Sequence, residues 1–213
     1  MADCCALIAR FTALEARLAA KEFTAERVAF ERGRVLALTC APGWLLVDLE
    51  ARMHDGLVGS MNVLMGPGGK LVPIDWGRMT PIEALQGCLA EGVSESQLKE
   101  YVVLCCNLVR NEAWRFILVE HPEELSLAPD AKTAEMKVFR DALSSMTFGE
   151  DDQGVTGQAT MVYHGEVSRV SIRVSPSGFV DLTGDEALGP APVCAEEFRG
   201  LFRIVHPRLT DRP

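Results

Sequence analysis

The sequence predicts an α+β fold of antiparallel β-meanders packed against helices, and three observations predict it. Residues 56–76, GLVGSMNVLMGPGGKLVPIDW, carry a strand–turn–strand pattern. Met61, Val63 and Met65 alternate there with Asn62 and Leu64, the period of a strand with one buried face. After Ser94, the residues Leu98, Tyr101, Val102, Cys105, Leu108 and Val109 recur at helical spacing. Val103, Leu104 and Cys106 widen that face until the helix is apolar on several sides, which predicts burial. Finally, strands and helices come in separate runs, a pattern of antiparallel sheets with helices on one face.

Within the first stretch, Gly66-Pro67-Gly68-Gly69 encodes a chain reversal, because Gly accepts φ > 0 and Pro presets φ near −65°. Lys70 to Trp76 returns as a second strand, with Pro73 placing it at an edge or a bulge. The pattern recurs 109 positions later. Gly56, Val58, Met61, Val63, Met65, Pro67, Gly69 and Leu71 align without gaps on Gly165, Val167, Val170, Ile172, Val174, Pro176, Gly178 and Val180. Two explanations stand side by side. Any two half-buried hairpins with a Pro-x-Gly turn align in this way, or the chain holds two related α-β-β-β-α units from a degenerate duplication. The division that follows is residues 1–128, with the four-stranded meander and the buried helix, and residues 129–213, packed as one domain or as two.

In chain order, Ala6 to Ala20 reads as an amphipathic helix with Leu7, Phe11, Leu14 and Leu18 on one side. Thr24 caps a second helix, which Gly33 ends. Arg27, Arg32 and Arg34 alternate with Glu26 and Glu31 as its solvated face. Strands 34–40 and 44–50 meet at Ala41-Pro42-Gly43, and the link 51–55 is polar and exposed. Thr80, Pro81 and Glu83 open a helix to about Ala90 through a capping box, and Ser94 with Gln97 opens the buried helix in the same way. Trp114 to Val119 is a strand, ended by His121-Pro122. A helix covers Thr133 to Met146. Residues 149–158, GEDDQGVTGQ, are polar, acidic and Gly-rich, so they read as the linker and the most flexible internal segment. Strands follow at Ala159–His164, Val167–Val174 and Phe179–Leu182, then a last helix, Ala195–Ile204. This helix-and-sheet succession is loosely similar to that of acidic secretion chaperones, without a shared motif, and no residue role follows from it.

Composition narrows the function classes. The net charge of −9 argues against nucleic acid and anionic membranes as partners, both of which need a basic surface. No apolar run reaches the ~20 residues a membrane helix needs, and Asp3 stands where a signal peptide carries Lys or Arg, so the expected location is cytoplasmic. The seven cysteines are odd in number and form no C-x-x-C. They read as reduced thiols, with Cys105 and Cys106 in the core.

Motif searches return little. There is no phosphate loop, dinucleotide fingerprint, Gly-x-Ser-x-Gly or His-Glu-x-x-His, so no cofactor is predicted. Gly66 to Lys70 superficially suggests a phosphate loop, but no helix starts after Lys70 to hold the anion, and the stretch reads as a turn. His54-Asp55 and His164 precede the matched glycines of the two hairpins. They are candidate binding residues or plain polar loop residues, and with no ligand spacing no metal is predicted. Asp75, Trp76 and Arg78 end the first hairpin as a recognition surface, or as an aromatic at the rim of a core with a charge pair beside it. The expected function is therefore a non-catalytic binding or adaptor protein, acting on a protein partner, a second copy or a small ligand. The alternative is a thiol- or metal-dependent enzyme assembled from distant residues, for example Cys40 or Cys88 with His54 or His121.

Overall fold

The computed structural model describes residues 29–74, 79–89, 93–109, 115–152 and 154–206. The fold is α+β, with antiparallel strands in two sheets and helices beside them. The predicted helix 6–20 lies outside the described residues. Contacts divide the chain into two compact units. Of the described residues, one takes 29–38, 43–74 and 198–204, and the other takes 39–42, those between 79 and 197, and 205–206.

The first unit is built on β1 (Ala29–Ala37), β2 (Leu45–Arg52), β3 (Val58–Met65) and β4 (Leu71–Pro73). Strand order in this sheet is β1-β2-β3-β11-β10, with β4 also on β3; β10 is Ala195–Arg199 and β11 is Phe202–His206. Alternation sorts the side chains. Val47, Leu49, Ala51, Met61, Val63 and Met65 are buried with Phe202 and Ile204 in one cluster. On the opposite face, Arg34, Asp48 and Asn62 share one rung. Arg32, Glu50, Ser60 and Arg203 share the next.

The second unit carries a sheet of order β5-β7-β8-β9, with β6 on β7: β5 (Ile117–Leu118), β6 (Thr147–Asp151), β7 (Gly154–Tyr163), β8 (Glu166–Val174) and β9 (Val180–Pro190). Its helices are α1 (Thr80–Leu85), α2 (Glu95–Asn107) and α3 (Thr133–Ala142). The Ser94 capping box forms as expected. Ser94 Oγ accepts from Gln97 N, and the Gln97 side chain accepts from Ser94 N at 2.9 Å. Leu98, Tyr101, Val102, Leu104, Cys105 and Cys106 are all buried. Tyr101 is fully enclosed and its hydroxyl donates to the Gly178 carbonyl at 2.6 Å, tying α2 to the β8–β9 turn.

Five expectations are corrected. Residues 29–33 belong to β1, not to a helix ended by Gly33. Arg32 and Arg34 stand two apart so that each meets an acid on β2: Arg32 Nη2 to Glu50 Oε1 is 2.7 Å and Arg34 Nη2 to Asp48 Oδ2 is 2.6 Å. The helix after Thr80 ends at Leu85, with Gly87 at φ +78, and its N-cap is Met79, without a side-chain cap. The stretch 149–158 is no linker. It supplies the end of β6 and the start of β7, whose pairing runs from Thr147↔Gln158 to Asp151↔Gly154. Residues 195–204 form β10, a turn and the start of β11, not a helix; Leu201 reaches the first sheet's core from the turn, and Phe202 and Ile204 reach it as extended chain. In the link 51–55, Ala51 and Met53 are buried while Arg52, His54 and Asp55 are exposed.

Candidate functional site

The two faces of the second sheet are treated differently. On one, Ala159, Met161, Val170, Ile172 and Val174 are buried throughout. The other divides along its length. At one end Val162 and Val167 pack with Phe139 of α3, and the buried Thr160 hydroxyl bonds Ser144 Oγ at 3.0 Å and accepts from Ser144 N at 3.1 Å. Beyond Thr160, α3 no longer covers the strands. There Thr156 and Gln158 of β7 stand beside Ser171 and Arg173 of β8, with Thr147 of β6 and Thr183 of β9 at the sides. These six line a concave hollow of about 410 Å³.

At this edge of the sheet β6 runs close against β7. A Cβ on Gly157 would lie 2.5 Å from the Thr147 carbonyl oxygen and 2.9 Å from the Phe148 ring, so only Gly lets β6 approach so closely. The half-buried Phe148 ring lies over that glycine, on the Ile172 side of the sheet. Arg173 is 46% exposed and 3.9 Å from Asp151 Oδ2, and Asp181 stands opposite it across the β8–β9 rung. Farther along, Arg169 Nη1 reaches Glu186 Oε2 at 2.7 Å. Chemically the hollow offers hydroxyls, one amide and a guanidinium, with the Asp181 carboxylate across the rung: groups that bind polar chain or a polar ligand.

Of the residues singled out in the sequence, His54, Asp55 and His164 do not line the hollow. Asp75, Trp76 and Arg78 lie outside the described residues. Asp55 is exposed and accepts from Arg199 Nη1 at 2.5 Å and from Leu57 N at 3.0 Å; first that Arg199 bond and then the Leu57 bond hold its pKa below the usual carboxylate value. Its neighbour His54 is exposed in the same turn. His164 is exposed at the tip between β7 and β8 with φ +60, followed by Gly165 at φ +76, so the pair makes a tight hairpin reversal. Its ring sits 5.7 Å from that of Tyr163, which stacks on Phe116 at 4.5 Å. Among the described residues, no three His, Cys, Asp or Glu gather as a metal site.

The described thiols are free. Burial pushes Cys40 up to about 12, with Glu100 adding to it, and burial alone dominates at Cys105 and Cys106, also at about 12. Cys194 is raised too, by burial and then by Asp130 and Glu196. These shifts oppose thiolate formation, whereas a nucleophilic Cys needs its pKa lowered. Glu120 holds the other perturbed carboxylate. Burial raises it, but Lys99, the Met146 N–H at 2.5 Å and His121 outweigh that and bring it below its ordinary value. It ties α2 to the start of β6, a structural role.

Sequence reasoning missed the hollow because the acidic, Gly-rich composition of 149–158 reads as loop. The signal was present in Thr156-x-Gln158 and Ser171-x-Arg173, two polar alternations at strand period. Compared with known proteins, the chain matches no family model, no curated protein and no solved structure. Among the described residues, no helix is long and apolar enough to cross a membrane.

Proposed function

We propose that the protein is a non-catalytic binding or adaptor protein that seats its partner on the open half of the β6–β9 face. The observation that carries this reading is the division of one sheet face, covered by α3 at one end and left concave and polar at the other. A face that only completed the fold would gain by burying apolar side chains there, as Val162 and Val167 do. The raised thiols weigh against the thiol-enzyme alternative. Acidic surroundings favour a protein partner over nucleic acid or an anionic membrane, and the action belongs in the cytoplasm. In this reading the hairpins β3–β4 and β8–β9 are copies of one ancestral hairpin, of which the second kept an open face.

A photo-crosslinking residue placed at Ser171 tests it, against the same residue at the exposed Glu166 on the opposite end of β8. A discrete crosslinked partner at 171, lost when Gln158→Ala and Arg173→Ala are added without loss of thermal stability, supports the site. Equal crosslinking at both positions, or none at 171, overturns it.

A further inference from the structure

The two edges of the second sheet are built differently. On one side β9 is interrupted twice: Gly184 and Leu188 are extra residues against β8, and the strand ends at Pro190. α3 also stands beside it, with Val138 Cγ1 2.8 Å from where a Cβ on Gly189 would lie. Bulges, proline and a covering helix are devices that keep an edge strand from pairing. On the other side β6 has none of them. Its ladder with β7 runs from Thr147 to Asp151 without a shift, it holds neither Pro nor Lys, and β7 is its one partner strand among the described residues. Thr147, Gly149, Glu150 and Asp151 are exposed and Phe148 is half-buried, so this edge meets water. The Thr147 carbonyl oxygen points toward β7, 2.5 Å from where a Cβ on Gly157 would lie. In an antiparallel ladder the N–H and C=O of one residue point the same way, and the direction alternates along the strand. Those of Phe148 and Glu150 therefore point outward, away from β7.

We propose that β6 is a docking edge, which takes an extended segment of a partner protein as an added antiparallel strand. This surface is separate from the hollow and does not rest on it. The outward N–H and C=O groups of Phe148 and Glu150 supply the main-chain bonds, and the side chains choose the segment. The Phe148 ring lies on the Ile172 side of the sheet, and Glu150, two residues on, stands on that side too. Glu150 is exposed and makes no ion pair among the described residues. Across an antiparallel pair, aromatic against β-branched or aromatic and charge against opposite charge are the favourable neighbours. The segment that fits carries a β-branched or aromatic residue opposite Phe148 and, two residues away, Lys or Arg opposite Glu150. A second copy of this chain fits less well, because its own β6 adds another Glu150 and Asp151 to an edge that already holds them.

Fluorescence anisotropy on the full chain tests this with a labelled peptide that repeats threonine–valine–threonine–lysine, and with the same repeat carrying glutamate for lysine. The expected result is binding of the lysine repeat, with the glutamate repeat about fivefold weaker or more. N-methylation of the valine and lysine amides, which face β6 in this register, should abolish binding. N-methylation of the threonine amides, which face away, should change it by less than about threefold. Glu150→Gln should weaken binding about two- to fivefold by removing the charge. Glu150→Pro should weaken it about tenfold or more, since it also removes an outward N–H while sparing the ladder to β7. Ser171→Trp, which fills the hollow, should leave binding unchanged. No binding of the lysine repeat, equal binding of the two methylated forms, or equal losses from Glu150→Gln and Glu150→Pro overturns strand addition. Equal binding of the lysine and glutamate repeats overturns the basic assignment. Loss with Ser171→Trp but not with Glu150→Pro puts the probe in the hollow and removes the edge. A dimer of the peptide-free chain that Glu150→Pro dissociates overturns the partner in favour of a second copy. Unchanged thermal melts show that each variant is folded, and the methylated peptides decide the matter on the unaltered chain.

Discussion

The hairpins β3–β4 and β8–β9 share turn bonds and register 109 residues apart, in different surroundings. In the first, Gly66 N donates to Lys70 O at 2.7 Å and Gly69 N to Gly66 O at 3.3 Å; in the second, Ser175 N donates to Phe179 O at 2.9 Å and Gly178 N to Ser175 O at 2.8 Å. Gly69 and Gly178 take φ +79 and +83. Registers agree rung for rung. Met65↔Leu71, Leu64↔Val72 and Val63↔Pro73 correspond to Val174↔Val180, Arg173↔Asp181 and Ile172↔Leu182. The difference lies on the far face of the middle rung, where Leu64 and Val72 are buried while Arg173 and Asp181 are exposed.

The preceding strand breaks the equivalence. Val47 pairs with Val63, but the residue opposite Ile172 is Gly157, one position away from the offset of 109. A five-residue link, 53–57, joins β2 to β3, whereas His164-Gly165 alone joins β7 to β8. One residue of slip turns every side chain of the incoming strand to the other face. Thus Val47 and Leu49 face the first core, while Thr156 and Gln158, at the same offset, open outward as the hollow.

The comparison can be broken most sharply at the shared inner face. Val63→Asp and Ile172→Asp each bury an unpaired charge at a site no more than 2% exposed, and each should cost about 5 kcal/mol, as much as a small domain's whole stability, in urea unfolding. If either tolerates the change, the two hairpins do not share a buried face. Next in size, Gly157→Ala should cost about 1–3 kcal/mol by pushing β6 away, because its Cβ meets backbone and a packed ring. No loss in the same measurement would mean that β6 gives way freely at this edge.

The turn glycines sharpen the comparison further. Gly69→Ala has open space and should cost only the left-handed penalty, about 1 kcal/mol. Gly178→Ala carries that penalty and also sets a methyl 3.0 Å from the Tyr101 hydroxyl, so it should be the more damaging of the pair. Equal costs would separate α2 from the second turn. Smaller still is the acid limb of stability. Glu120 is held below its ordinary 4.5, so its contribution is complete above that pH and is lost as pH falls through the folded value. Glu120→Gln should flatten the stability–pH curve below about pH 4.5, and Asp55→Asn, at an exposed pair, should flatten it less. The smallest effect belongs to Ser171→Asp, within about 0.5 kcal/mol. The matching Asn62→Asp should cost more, since Asn62 donates to Asp48 and the new charge would face it.

What the residues alone determined is whatever depends on a few neighbours along the chain. The alternation of Met61, Val63 and Met65, the Pro-x-Gly reversals and the Ser94–Gln97 box are local physics, and each reappears in the structure. Residues 29–33 and 195–204 did not follow local preference, because their helical spacing was overridden by pairing. Arg32 and Arg34 find acids only as a strand beside β2, and Ile204 finds the core only opposite Gly59. Likewise, the composition of 149–158 forecast a loop, yet a glycine at 157 allows β6 to pair closely against β7. The hollow is the furthest from the sequence. Its lining comes from four strands, and whether Thr156, Gln158, Ser171 and Arg173 meet water or α3 depends on a two-residue turn and on where α3 stops, both properties of the folded chain.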